Sequence, residues 1–179
     1  MVQNMAKEFS VKVLDNIMNN TEDWLNLFKK DEGYTSLSTS EQEDSEFIIE
    51  MFTEWHYTFD SRRPREWTKA SLKYVLIDLF PAQLAFGRTF FENVEPVLTQ
   101  YFLFLDKIGK IKNAQALLKE LKEVSPVMIE EALTDTSLGL GQTLIDAAEE
   151  EKIEIHNGEE FQHFIAMLNQ LDGHGKQKI

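Results

Sequence analysis

The stretch VEPVLTQYFLFLDKIG, residues 94–109, decides the fold of this chain. Its apolar residues fall on nearly every side of a helical wheel, which is typical of a helix buried in the middle of a protein. Lys107 and Gly109 form a common signal for the end of a helix. Because proline suits a first helical turn, Pro96 predicts a short helix, a kink and then a longer helix. We therefore expect a kinked, central apolar helix near 89–108.

The segments before this helix also have helical patterns. Asn20 or Thr21 can cap a second helix after the first one, since their side chains can accept a hydrogen bond from a free backbone N–H. Residues 31–39 are polar and rich in Ser and Thr, and they predict a loop. Ser40 with Glu43 has the spacing of a capping box, which predicts the start of the next helix.

A turn over residues 61–66 precedes another helix. Thr68 is its expected N-cap, with Trp67 and Leu72 at the positions of a hydrophobic staple. Further along, Ser125 and Pro126 predict the start of a separate helix, because proline is favoured in a first turn.

These patterns together predict an all-α fold. We expect a single-domain bundle of roughly eight to ten helices over residues 1–172, with no internal repeat. In this interpretation the helices of residues 1–60 pack on a core made by residues 67–171. Residues 173–179 are polar and are expected to be disordered.

The composition excludes several classes of protein. The chain has 179 residues and no cysteine, which excludes disulfide scaffolds, thiol nucleophiles and Cys-ligated zinc. A hydrophobic fraction of 42% is enough for a core. No apolar run reaches the roughly 20 residues needed to cross a bilayer, and the first residues do not have the pattern of a signal peptide. We expect a cytoplasmic protein without a membrane association.

The charge is acidic overall but unevenly distributed. With 18 Lys and Arg against 31 Asp and Glu, the net charge is −13. Residues 1–61 carry 4 basic and 13 acidic side chains, residues 62–122 carry 11 and 6, and residues 123–179 carry 3 and 12. The middle third is therefore basic between two acidic thirds. Either the acidic ends neutralise it, or it presents a basic surface to a partner.

A diffuse resemblance covers residues 67–171. A helix led by Trp67 ends in proline, a segment similar to "PVL…FFxFL" follows, and the end reads ALTDTSLGLGQTLIDAAEEEKIEIHNGEEFQHFIAMLNQL. This order resembles an uncharacterised all-helical domain of bacteria. Gln142 and Lys152 depart from the pattern, which often has Lys and Gly there. The resemblance implies an all-helical fold and no particular activity.

A basic cluster is the first candidate site. It comprises Arg62, Arg63, Arg65, Lys69 and Lys73, with Trp67 beside it. These residues could bind an anion or an acidic protein, with the Trp67 ring as an apolar anchor. The alternative, which we favour, is that acids of residues 41–54 or 149–151 neutralise the cluster within the chain.

Asp78 is a second candidate because it lies among apolar residues. If it is buried, it needs a partner or its pKa rises, as in many active sites. The simpler interpretation is that Asp78 faces water.

The histidines are weak candidates for a metal site. His156 and His163 lie near Glu159 and Glu160, which could join them as ligands, but a helix start is expected between the two histidines. A pair of surface imidazoles is the more common outcome of such spacing. His56 is expected at the wet edge of an aromatic core. We expect no metal and no cofactor.

Three functions remain open. The first is a non-enzymatic helical domain for protein interaction or regulation, since no catalytic motif is present in the sequence. The second is an enzyme whose metal or acid–base site is built from helix carboxylates and histidines. The third is a nucleic-acid-associated regulator that uses the patch from Arg62 to Lys73, although the net charge disfavours it. The oligomeric state is open.

Overall fold

The computed structural model describes residues 8–134, and within this range the chain is helical and has no strand. A 3₁₀ turn at Pro64–Glu66 separates α3, which follows the first two helices, from α4, which spans residues 69–83. The central part of α4 is a π-helix, Tyr74–Leu79, between the α-helical segments Lys69–Lys73 and Phe80–Gln83. The other helices are α1 (Val11–Phe28), α2 (Glu32–Thr35), α3 (Thr39–Asp60), α5 (Arg88–Lys107) and α6 (Ala114–Thr134).

Helix α5 lies at the centre, as its sequence predicts. It packs against α2, α3 and α6, and it buries more residues than any other helix of the described range. Phe102 meets Phe52 of α3 with a ring-centroid distance of 5.6 Å, and Tyr101 meets Phe28 of α1 at 5.4 Å. A single hydrophobic core therefore joins side chains from residues 25–60 with those of residues 67–128.

The prediction of eight to ten helices is wrong for the described residues, which form six. One reason is that α1 continues through the expected cap at residues 20 and 21. The Thr21 hydroxyl is buried and donates a hydrogen bond back to the Ile17 carbonyl, at 2.8 Å. A β-hydroxyl bonded in this way belongs to a helix interior and does not cap a new helix.

Two prolines lie inside helices, although Pro126 was expected to start a separate helix and Pro96 was expected at a kink. Helix α5 runs through Pro96, and α6 runs through Pro126. A proline frees the carbonyl four residues before it, here those of Glu92 and Lys122. Both of these residues are exposed, so water can bind the freed carbonyls and the helix continues. The predicted kink itself stays a prediction.

The predicted capping box was displaced by two residues. Ser38 caps α3, its hydroxyl accepting from the Glu41 N–H at 3.2 Å, while the Glu41 carboxylate accepts from the Ser38 N–H at 2.8 Å. Ser40 instead accepts a hydrogen bond from the Asn93 side chain of α5, at 2.9 Å. The segment expected as a loop contains the short helix α2.

The predicted start of α4 and the predicted end of α5 are confirmed. The Thr68 hydroxyl caps α4 by accepting from the Ser71 N–H at 3.1 Å. Gly109 ends α5 with a positive φ of 72°, and the Lys110 N–H donates to the Leu105 carbonyl at 2.8 Å. This is the hydrogen bond of a Schellman motif, which glycine favours because it lacks a Cβ.

His56 lies within the aromatic core and not at a wet edge. Its ring is within 4.3 Å of the Phe52 ring and 5.4 Å of the Trp67 ring, between centroids. Its Nδ1 lies 2.7 Å from the Phe52 carbonyl, which identifies Nδ1 as the protonated nitrogen of a neutral imidazole. Burial lowers the pKa of His56 to about 4, and the hydrogen bond to the Phe52 carbonyl offsets the lost hydration of the charged form only in part.

We predict that Phe102→Ala lowers the free energy of unfolding by about 3–5 kcal/mol, because it leaves a cavity at the centre of the core. The next residue supplies a matched control. Leu103 is 40% exposed, and Leu103→Ala is expected to cost less than about 1 kcal/mol. Urea denaturation followed by circular dichroism measures both values. Equal losses would contradict the central position of α5.

We predict that His56 makes stability fall as the pH falls. The unfolded histidine has a pKa near 6.5, and the folded one is at about 4, so the unfolded state binds more protons between these values. The contribution of neutral His56 to the free energy of unfolding is therefore fully present above about pH 6.5. It is lost as the pH falls towards 4, which lowers the free energy of unfolding by up to about 3 kcal/mol.

His56→Leu removes this titration while keeping an apolar side chain of similar size. Denaturation at several pH values, compared between the variant and the natural chain, isolates His56. The raised pKa values of Asp44 and Glu50 act in the opposite direction, and the lowered pKa of Asp31 acts in the same direction, but all three are common to both proteins. Identical pH dependences in the two proteins would contradict the prediction.

Candidate basic cleft

The turn after α3 determines where the arginines of the basic cluster point. Ser61 ends α3 in the left-handed conformation, with φ of 53°, and the Arg62 N–H donates to the His56 carbonyl at 3.0 Å. Pro64 then opens the 3₁₀ turn, in which the Glu66 N–H donates to the Arg63 carbonyl at 2.8 Å. The left-handed cap and the 3₁₀ turn therefore determine the backbone path of all three arginines.

Arg62 has a structural role in this turn. Its Nε donates to the Asp60 carboxylate at 2.7 Å, and its Nη1 donates to the Glu66 carbonyl at 3.1 Å. These bonds tie the end of α3 to the 3₁₀ turn. Arg62 is therefore engaged within the chain, whereas Arg63 and Arg65 are exposed.

Trp67 is not a surface anchor, since only 1% of it is exposed. Its ring packs against Phe52, with centroids 4.9 Å apart, and against Phe102, at 5.9 Å. The apolar position that suits a hydrophobic staple is thus occupied by a core residue. Trp67 anchors the 3₁₀ turn to the hydrophobic core, and its ring is not available to a partner.

Two adjoining clefts lie beside the arginines. The first, which we call the Trp24 cleft, has a volume of about 540 Å³. Its apolar surface comes from α1 and the 3₁₀ turn, and its charged residues come from the turn and from the loop after α5. It is lined by Val13, Asn16, Ile17, Asn20, Trp24, Arg63, Pro64, Arg65, Glu66 and Lys110.

The second cleft, which we call the loop cleft, has a volume of about 760 Å³ and lies between residues 65–68 and the loop of residues 109–113. It shares Arg65, Glu66 and Lys110 with the Trp24 cleft, so the two form one continuous concave surface. The Asn113 side chain holds this surface together by donating to the Trp67 carbonyl at 2.7 Å.

Four cations surround the two clefts, and we call them the basic rim: Arg63, Arg65, Lys110 and Lys112. Lys110 lies over the Trp24 ring, with its Nζ 5.5 Å from the ring centroid, in a cation–π contact. The Schellman motif at Gly109 sets the position of Lys110. The rim therefore combines residues that are about fifty positions apart in the sequence.

Among residues 8–134, the ion pairs do not include any cation of the basic rim. They are Lys29 with Glu46, Arg62 with Asp60, Arg88 with Glu92 and Lys107 with Asp31. In particular, Glu46 of α3 pairs with α1 and not with the arginines. Residues 149–151, the other acids that were expected to neutralise the cluster, lie outside the described residues.

The remaining candidates are placed as follows. Lys69 and Lys73 are exposed on α4 and do not line either cleft. Asp78 is exposed in the π-helical segment, so it needs no buried partner. His156 and His163 lie outside the described residues. Within the described range, no three histidines or carboxylates lie close enough together to hold a metal ion.

Sequence reasoning missed Trp24 and Lys110 at this site. Val13, Ile17 and Trp24 recur at helical spacing, but they form one stripe only because α1 continues through residue 21. Lys110 follows the helix end at Gly109, in a stretch with several other lysines. Nothing in its local sequence indicates the Trp24 ring, which is 86 positions away.

A partly buried acid was also missed. Asp44 of α3 accepts a hydrogen bond from the Asn93 side chain at 2.8 Å, and burial raises its pKa. Because Asn93 also binds Ser40, this contact joins α3 to α5 and has a structural explanation.

Comparison with known proteins gives no family and no relative. No protein-family model, no curated protein and no solved structure matches this chain. The resemblance over residues 67–171 therefore stays a prediction. None of the described helices is both long and apolar enough to span a bilayer.

We predict that Asn113→Ala loosens the loop cleft. Loss of the bond to the Trp67 carbonyl is expected to lower the free energy of unfolding by about 1 kcal/mol and to speed amide exchange in residues 109–113. The control is Lys112→Ala, an exposed neighbour, for which little change is expected. Hydrogen exchange read by mass spectrometry compares the two, and equal protection would contradict a role of Asn113 in holding the loop.

Proposed function

We propose that this chain is a helical protein-interaction domain that binds an acidic partner protein at the basic rim. The observation that carries the proposal is the convergence of Arg63, Arg65, Lys110 and Lys112 on one concave surface, without an ion pair to any carboxylate of residues 8–134.

Electrostatics supports an acidic partner. The chain has a net charge of −13, so a concave surface rimmed by cations has a local charge opposite in sign to that of the chain as a whole. Such a region attracts a negatively charged partner over short distances, while the acidic remainder repels it elsewhere. The arginine guanidinium groups can bind carboxylates with two parallel hydrogen bonds, which favours recognition of Asp and Glu side chains.

The first of the sequence-based functions is the one that this geometry supports. The enzyme alternative relied on His156 and His163, which lie outside the described residues, and it stays a prediction. The nucleic-acid alternative uses the same arginines, so one binding experiment separates it from the proposal.

We predict that a fluorescein-labelled glutamate peptide binds the chain, as measured by fluorescence anisotropy. Binding should weaken as salt is added, because exposed charges are screened. Arg63→Glu with Arg65→Glu should reduce the affinity by about tenfold or more, since two attractive charges become repulsive.

The control reverses two lysines of α6 that line neither cleft, Lys119→Glu with Lys122→Glu. It changes the net charge by the same amount, so an equal loss of affinity would show a non-specific charge effect and would overturn the proposal. A labelled single-stranded DNA is tested in parallel. Binding of DNA through Arg63 and Arg65, without binding of the peptide, would favour the nucleic-acid alternative instead.

A further inference from the structure

The Trp24 cleft has an apolar surface that a purely electrostatic site does not need. Val13 and Trp24 line it with partly exposed side chains, Ile17 and Pro64 are buried beside them, and Arg63, Arg65 and Lys110 also line it. When a partner excludes water from apolar surface in a concave site, the buried area makes the free energy of binding more favourable. The site therefore offers a ligand both charge and hydrophobic contact.

The shape of the cleft limits the size of this ligand. Its α1 side extends from Val13 to Trp24, a rise of about 17 Å along a helix axis. An extended chain of about five residues has this length. A short extended peptide segment therefore matches the length of the α1 side of this cleft.

We infer that the Trp24 cleft binds a short, acidic linear segment of the partner protein, with an aromatic or large aliphatic side chain between its carboxylates. The central side chain lies against Val13 and Trp24, and the flanking carboxylates pair with Arg63, Arg65 and Lys110. This inference rests on the proposed function, and it adds the chemistry of the recognised segment.

Lys110 links the two parts of this recognition. Its ammonium group lies 5.5 Å from the Trp24 ring centroid, so it is close to the apolar surface and still able to reach a carboxylate at the rim. Glu66 also lines the cleft, and its carboxylate accepts a hydrogen bond from the Arg63 N–H at 3.0 Å, which holds the turn that carries Arg63.

The test compares two labelled five-residue peptides of equal charge, each with two glutamates on either side of a central residue. One has tryptophan at the centre and the other has glycine. We expect the tryptophan peptide to bind the natural chain about tenfold more tightly, because only it buries an apolar side chain. This preference should persist at high salt, since salt screens the charges and not the hydrophobic contact.

Variants locate the effect in the cleft. Trp24→Ala should remove the preference for tryptophan while binding of the glycine peptide remains. The matched control is Trp55→Ala, because Trp55 is also partly buried but packs against Phe80 away from both clefts, and this variant should keep the preference. Circular dichroism checks that both variants fold.

A second pair of variants does not depend on removing a large side chain. Asn20 lines the Trp24 cleft, whereas Asn19 is exposed on α1 and lines neither cleft. Asn20→Glu should weaken binding of the tryptophan peptide several-fold more than Asn19→Glu, through repulsion of its carboxylates. Equal effects of the two variants would place the peptide elsewhere and would overturn the inference.

The outcomes separate this inference from the proposed function. If both peptides bind equally and both need Arg63 and Arg65, the basic rim binds acidic partners and the inference about the apolar side chain is wrong. If neither peptide binds, the proposed function itself fails. If sedimentation instead shows self-association that Arg63→Glu with Arg65→Glu abolishes, a second copy of the chain occupies the cleft, and the inference is overturned.

Discussion

Burial of the aromatic face of α5 is the interaction on which the rest of the structure depends. Phe102 contacts both Phe52 and Trp67, so one side chain of the central helix joins α3 to the segment before α4. On the neighbouring side of α5, Tyr101 and Phe104 pack around Phe28 of α1. Aromatic rings in these edge-on and tilted arrangements bury large areas with specific geometry, which orients each helix relative to α5.

This core also determines the geometry of the basic cleft. Trp67 is held among Phe52, His56 and Phe102, and its carbonyl accepts the hydrogen bond from Asn113. The buried ring thus fixes the 3₁₀ turn that carries the exposed arginines, and the carbonyl fixes the loop that carries Lys110 and Lys112. Rigid support of this kind lowers the entropy that a binding surface loses when it engages a partner.

Much of the fold could be predicted from the sequence. Helical periodicity indicates the all-α class, and the nearly continuous apolar pattern of residues 94–109 identifies the central helix. The cap at Thr68 and the helix end at Gly109 were also predictable, because a cap depends on contacts within a few residues. The errors at Thr21 and Pro126 have a common cause: both residues can start a helix, and both can also lie within one if their surroundings allow it.

The sequence predicts part of the candidate site, and the tertiary structure decides the rest. The sequence by itself determined that the middle third is basic and that Arg62, Arg63 and Arg65 lie on a turn, since charge and proline act locally. Only the tertiary structure decided that Trp67 is buried and that Trp24 and Lys110 meet at the cleft. The physical reason is that burial and cation–π contacts arise between residues distant in sequence, which come together only when the helices pack around α5.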